Sequence, residues 1–462
     1  VGGDGSEARP FASLADALSR LTAGGTIAVH RGDVRIEGVV MVPRGVALVG
    51  VGPTVGTMLV VTRGHAGLSV AQDVQVRDLA IRYEGSDARE EDAAVEVAAG
   101  ATVTLRNVRI EGAYEGLRVF GEVSAERLSV LRAARNGIAL RGAAVGRFRS
   151  LLVRDGLAQG VSVGPAEVLS TVAGHLHITD GAVLDNGERG VVFSRAATGV
   201  GAAECTTDGP STAAGELDCF TRVSIERNGI QALAVRGARD VRLRRVSLSG
   251  TRVIGADRDA DGLAALDGAR VTIDDPESAA MRTPGIGSII VGNARAGVLA
   301  QGAGVQLTVR GARVQSNLGP GVFIAQGASA PVVSFNRVDD NRAVGVAVTR
   351  SATIASIQCN GISGTLAAPL VTTDGTGAPL GDGLSIVQGG TRVDVSDNTM
   401  TANARFGAVF SGASGTVHNN DGAGNLYGLH AYDSPTLAVT GDNRVGGREA
   451  APTVAPPQAN SL

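Results

Sequence analysis

The chain has 462 residues, 66 of them glycine, and a formal net charge of −3; it contains no lysine, so all 42 basic residues are arginine. Glycine at roughly twice its usual share of about 7%, without a three-residue period, excludes collagen and points to many turns. The balanced charge argues against nucleic acid or an anionic membrane surface as partner. With no tryptophan and 3% aromatics, stacking platforms for bases or sugars are scarce, and a ligand must be held mainly by polar groups.

The sequence starts at Val1 and holds no apolar run of about 18 residues, so no transmembrane segment or signal peptide is expected and the chain reads as a mature or trimmed ectodomain. In PFASLADALSRL, Phe11, Leu14, Leu18 and Leu21 fall on one face of a helix that Pro10 can start. Residues 1–25 are therefore expected to form an N-terminal cap over an otherwise exposed core. TIAVHRG, DVRIEGVVMV and GVALVGVG read as the first strands. SDAREED, with Asp87, Glu90, Glu91 and Asp92, reads as a solvated loop.

From there the dominant signal is a repeat: Asn, three residues, Gly, then an alternating apolar strand. It occurs as Asn293 to Gly297, Asn317 to Gly321, Asn341 to Gly345 and Asn403 to Gly407. Gly383 and Gly428, and earlier Gly116, Gly137 and Gly160, open equivalent strands at similar spacing. A period of about 22 to 24 residues with strands of four or five residues and no helical pattern predicts an all-β solenoid, a parallel β-helix over 26–446. Insertions are expected near 195–220, 252–285 and 362–380. Asn and Gly tolerate the left-handed backbone that a sharp corner demands, which suits the repeated asparagines and glycines to the turns. Residues 447–462, rich in Pro and Ala, read as a flexible tail.

The residues carrying the solenoid pattern also carry a family likeness. Residues 4–38, DGSEARPFASLADALSRLTAGGTIAVHRGDVRIEG, resemble the opening of bacterial right-handed β-helix surface proteins of the pectin-lyase-like superfamily, and the repeats resemble carbohydrate-associated β-helix repeats. The resemblance implies a right-handed parallel β-helix. It leaves activity open, because that solenoid hosts lyases, hydrolases, epimerases, adhesins and spacers.

A hydrolase needs two carboxylates across the scissile bond and a lyase needs a base, and the resemblance places such groups on one outward sheet face. With the first and third residues after each glycine pointing in, the outward rows run from Arg118 to His430 and from Phe120 to Tyr432, and as read they contain no carboxylate. Asp339 with Asp340 and Asp274 with Asp275 exist, but no Gly-His-Gly, Arg-Ile-Lys or Asp-Pro-His accompanies them. The expectation is a non-catalytic, secreted or cell-surface module binding glycan or a protein chain, or a structural spacer. A polysaccharide lyase or glycoside hydrolase with loop-borne residues is the alternative.

Candidate sites follow from the same rows. Arg118, Arg141 and Arg236 form a sparse basic stripe suited to carboxylate or sulfate groups. Leu299, Phe323, Val387 and Val409 are apolar yet predicted outward, which calls for a covering loop or a partner. Tyr427, His430 and Tyr432 offer either a sugar contact or a C-terminal cap. Asp257, Asp259 and Asp261, followed by Gly262, have a spacing that can hold calcium, although Asp261 and Gly262 also match the turn entering a coil at Asp382 and Gly383. His175 and His177 alternate on one strand, as metal ligands would, without a third ligand. Cys205 and Cys219 bracket a polar loop that a disulfide would close in an oxidising compartment, leaving Cys359 over, buried on a strand or paired elsewhere.

Overall fold

The structure is a computed structural model, and it describes residues 3–21, 24–51, 56–63, 66–84, 92–164, 174–194, 217–254, 259–368, 379–387 and 392–453. The described residues hold two short helices, Leu14–Ser19 and Pro276–Ala280, among parallel strands. None of these helices is long and apolar enough to cross a membrane. The chain divides into two compact units, Val1–Cys219 and Phe220–Leu462.

In the first unit, one sheet stacks the short strands Val40–Val42, Ala66–Val70, Ala93–Val97, Glu115–Val119, Asn136–Arg141, Gln159–Gly164 and Arg189–Phe193. Successive strands are one coil apart, and Leu117, Ile138, Val161 and Val191 lie in register and fully buried. The facing sheet uses longer strands, including Val74–Tyr83, Thr102–Glu111, Glu122–Leu131 and His175–Leu184. Each bends midway at a left-handed residue: Asp78, Asn107, Arg127 and Asp180. The predicted cap helix is present but shorter than its apolar pattern. Ser13, not Pro10, starts it, its Oγ accepting from Asp16 N at 3.0 Å.

The second unit repeats this plan. Leu263, Val298, Val322, Val346, Leu384, Ala408 and Leu429 stack in register behind the coil glycines. The asparagines do not take the left-handed backbone. That conformation belongs to the residue before each one, Gly292, Ser316, Asp340, Ala402 and Gly424, and the following Asn turns inward. Asn293 donates to Asn317 Oδ1 at 2.9 Å, Asn317 to Asn341 at 2.8 Å, and Asn403 to Asn425 at 2.9 Å. A second ladder at another corner links Asn336, Asn360, Asn398, Asn420 and Asn443 over 2.8 to 3.0 Å. The repeat glycines are needed for space, not for φ. A Cβ on Gly297 would lie 2.7 Å from both Gly321 O and Asn317 Nδ2.

Two segments and the setting of Cys359 differ from expectation. Residues 261–275 form a regular coil with strands Leu263–Leu266 and Arg270–Asp274, so the 252–285 insertion is two excursions around it, the second carrying the helix Pro276–Ala280. Residues 448–452 of the expected tail are tied to the last coils: Arg448 N and Glu449 N donate to Asn425 O and Leu426 O, and Tyr432 Oη donates to Pro452 O at 2.8 Å. Cys359 sits free and half-buried at a left-handed corner, neither buried on a strand nor paired.

Candidate functional site

A group of four ionisable side chains, Glu96, Glu115, Arg118 and Arg141, lies on the short-strand sheet of the first unit. Strand register places Glu96 beside Arg118, so the outward row does contain a carboxylate, contrary to the sequence reading. The glycine pattern hid it because Ala94 occupies the glycine position of strand Ala93–Val97. Glu115 opens the next strand with its side chain 4% exposed. Its Oε2 accepts from Arg118 Nε at 2.6 Å, and its Oε1 accepts from Arg141 Nη2 at 2.7 Å and Asn136 Nδ2 at 2.6 Å. Arg118 Nη1 reaches Glu96 Oε2 at 3.3 Å. The predicted basic stripe is therefore neutralised at Arg118 and Arg141, two arginines against two carboxylates. Arg236, in the second unit, makes no ion pair among the described residues.

Burial pushes the Glu115 carboxyl up, but Arg141, Arg118 and Asn136 together outweigh it and hold the group below the ordinary carboxylate range. A general acid must keep its proton near neutral pH, and the two guanidinium groups beside Glu115 favour its ionised form. Its lowered pKa gives a signed expectation. The stabilisation it supplies is present above the ordinary range of about 4.3 and is lost as the pH falls through the lower folded value. The gap in urea midpoint between wild type and Glu115→Gln should shrink between about pH 6 and about pH 3. A gap that stays constant would mean that the ion-pair cluster does not set it.

What remains available is hydrogen bonding. Glu96 is partly exposed and engaged at only one long contact, and Arg141, with its side chain 27% exposed, spends one of its donors. Gly164 keeps open the space between Arg141 and Ser194, since a Cβ there would meet Ser194 Oγ at 2.6 Å and come within 3.9 Å of Arg141 Nη1. Tyr114, accepting from Arg135 Nη1 at 3.0 Å, and the half-buried Phe120 bound the group.

The other candidates resolve differently. Phe323 is 7% exposed and packs with Leu299, Ala347 and Leu380 in an apolar cluster, so the predicted outward row is covered here by Leu380 from the chain's own insertion. Val387 and Val409 are buried as well. Tyr432 is buried against Phe406 and the segment ending at Pro452, with Tyr427 4.9 Å from the Phe406 ring and His430 4.3 Å from Tyr432, an aromatic C-terminal cap. Asp261 is fully buried and held by Arg295 Nε at 2.8 Å, and the same guanidinium reaches Asp259 at 2.7 Å. A cation already sits where calcium was expected; Asp257 lies outside the described residues. His175 and His177 share a strand face, and no group of three metal-ligating side chains forms among the described residues. Cys219 lies on strand Asp218–Glu226, and Cys205 lies outside the described residues, as do Asp87, Glu90 and Glu91.

Residues 282–444 match the family model for the right handed beta helix region. The chain is a right-handed parallel β-helix. No curated protein matches it. Among solved structures, this β-helix is similar to pectin methylesterase PemA from Erwinia chrysanthemi, at 13% identity over 55% of this chain and 89% of that one, with a TM-score of 0.37. It is similar also to the A-module of the Azotobacter vinelandii mannuronan C-5 epimerase AlgE6, at 14% identity over 95% and 94%, with a TM-score of 0.34. The catalytic domain of a GH87 alpha-1,3-glucanase aligns at 12% identity over 93% and 67%, with a TM-score of 0.32. Likeness at this level assigns none of those activities to this β-helix.

Proposed function

We propose that this β-helix is a non-catalytic glycan-binding module of an exported or cell-surface protein, and that the Glu96, Arg118 and Arg141 face takes an uncharged stretch of polysaccharide. The engagement of Glu115 carries this reading: the buried carboxylate of the face accepts from three donors, two of them guanidinium groups that favour its ionised form over the protonated form a general acid needs. The face is charge-balanced, so it suits hydroxyl-rich sugar, with Glu96 accepting and Arg141 donating. A Cys205 to Cys219 disulfide belongs to the same reading, since it suits an oxidising compartment.

Calorimetric titration with a panel of neutral oligosaccharides tests it. Wild type should bind at least one, and Arg141→Ala with Glu96→Gln should weaken that binding about tenfold or more, as expected for losing hydrogen bonds to charged groups. Release of shortened or unsaturated sugars by wild type would overturn the non-catalytic reading in favour of a loop-borne active site. The intact chain should be lighter than its reduced form by the two hydrogens of one disulfide.

A further inference from the structure

On the other sheet of the first unit, the first legs of the long strands present a different surface. Register aligns Arg77, Arg106, Glu126, Arg149 and Thr179 in one outward row, one residue per coil. The parallel row, two residues earlier, runs Gln75, Thr104, Ser124, Arg147 and His177. Arg77, Arg106 and Arg149 are exposed, as are Gln75, Thr104 and Ser124. Glu126 is already engaged by Arg106 at 3.5 Å and Arg127 at 3.2 Å, and Glu122 at the margin by Arg147 at 3.5 Å. Arg77 and Arg149 make no ion pair among the described residues. Within these two rows four arginines face one carboxylate, in a chain whose formal net charge is −3.

We propose that this row is a second binding surface, for an acidic polysaccharide bearing carboxylate or sulfate groups and lying along the stack of coils. Coils repeat at about 4.8 Å, so the arginines form a linear array of bidentate donors along one line. Between them stand hydroxyl and amide side chains, Thr104, Ser124 and Gln75, that match sugar hydroxyls. These two rows carry no large apolar side chain to enter a bilayer and, apart from His177 at one end, no ring to stack on a base, which favours polysaccharide over a membrane or a nucleic acid. The surface is distinct from the charge-balanced Glu96 face and does not depend on it.

The test is retention of the full chain on immobilised heparin and polygalacturonate across a salt gradient. Wild type should be retained, and Arg77→Ser, Arg106→Ser and Arg149→Ser together should abolish retention, the slope of log affinity against log salt falling by about one per arginine removed. Glu126→Gln, which frees Arg106 and Arg127, should delay elution. Because these side chains are exposed, the circular dichroism spectrum should not change. Arg141→Ala with Glu96→Gln should leave retention untouched, so loss of the neutral-glycan site and loss of this one are separable. Equal retention of the triple variant and wild type overturns the proposal. So does binding to phosphatidylserine vesicles or duplex DNA without binding to either polysaccharide.

Discussion

Asn398→Ala should lower the stability of the second unit by about 3 to 5 kcal/mol, more than most core truncations of similar size. The side chain is 1% exposed and sits in the middle of the five-asparagine ladder. Its Nδ2 donates to Ile357 O at 2.8 Å, Ser396 O at 2.9 Å and Asn420 Oδ1 at 2.9 Å, and its Oδ1 accepts from Asn360 N at 3.0 Å and Asn360 Nδ2 at 2.9 Å. Alanine strands two donors and two carbonyls where water does not reach, and each stranded group costs about 1 to 3 kcal/mol. Asn443 ends the same ladder half-buried, accepting from Asn420 and donating to Val417 O and Thr440 O. Asn443→Ala should cost only about 1 kcal/mol, because solvent can replace the lost partners. Urea unfolding of the two variants checks this; equal losses would mean that the ladder is not cooperative in burial.

The ladders show where sequence reasoning reaches and where it stops. The 24-residue step between Gly297, Gly321 and Gly345 was enough to predict a solenoid, because coil stacking puts the same demand at the same place in every coil. The reason behind the step was not legible. Spacing cannot tell a glycine required by a left-handed φ from one required because the next coil's carbonyl lies 2.6 Å from its absent Cβ, as Gly383 O does at Gly345. Parity along a strand gave the outward direction of Phe323 but not what covers it, since Leu380 arrives from an insertion with no periodicity of its own. Glu96 escaped because its coil carries Ala94 where others carry glycine, so the pattern skipped the coil and its carboxylate. The acidic Asp259 and Asp261 pair read as a cation site because nothing in the spacing reveals that Arg295 comes to them from the next coil.

That pairing recurs, and the recurrence predicts the other large effect. Asp-Gly-Leu opens strands at 261 and 382, and in each next coil Asn-Ala-Arg precedes the strand, at 293–295 and 403–405. Arg405 Nε and Nη2 bond both oxygens of Asp382 at 2.7 and 2.6 Å, and Phe406 N reaches the same carboxylate at 3.3 Å. Burial pushes the Asp382 carboxyl up, and the guanidinium pulls against it. A buried pair of this kind contributes little net stability but is costly to break, because the survivor is left charged in a dry site. Arg405→Ala should therefore destabilise the second unit by about 3 to 5 kcal/mol. Asp382→Leu with Arg405→Met should lose far less than the two single changes summed, giving a coupling of about 2 to 3 kcal/mol in a double-mutant cycle. Arg295 is 30% exposed where Arg405 is 7%, and Asp259 shares its charge. Arg295→Ala should cost less than Arg405→Ala, since water can approach Asp261 once the guanidinium is gone. If the double variant is as unstable as the sum of its singles, the pair fixes the coil by shape and not by charge.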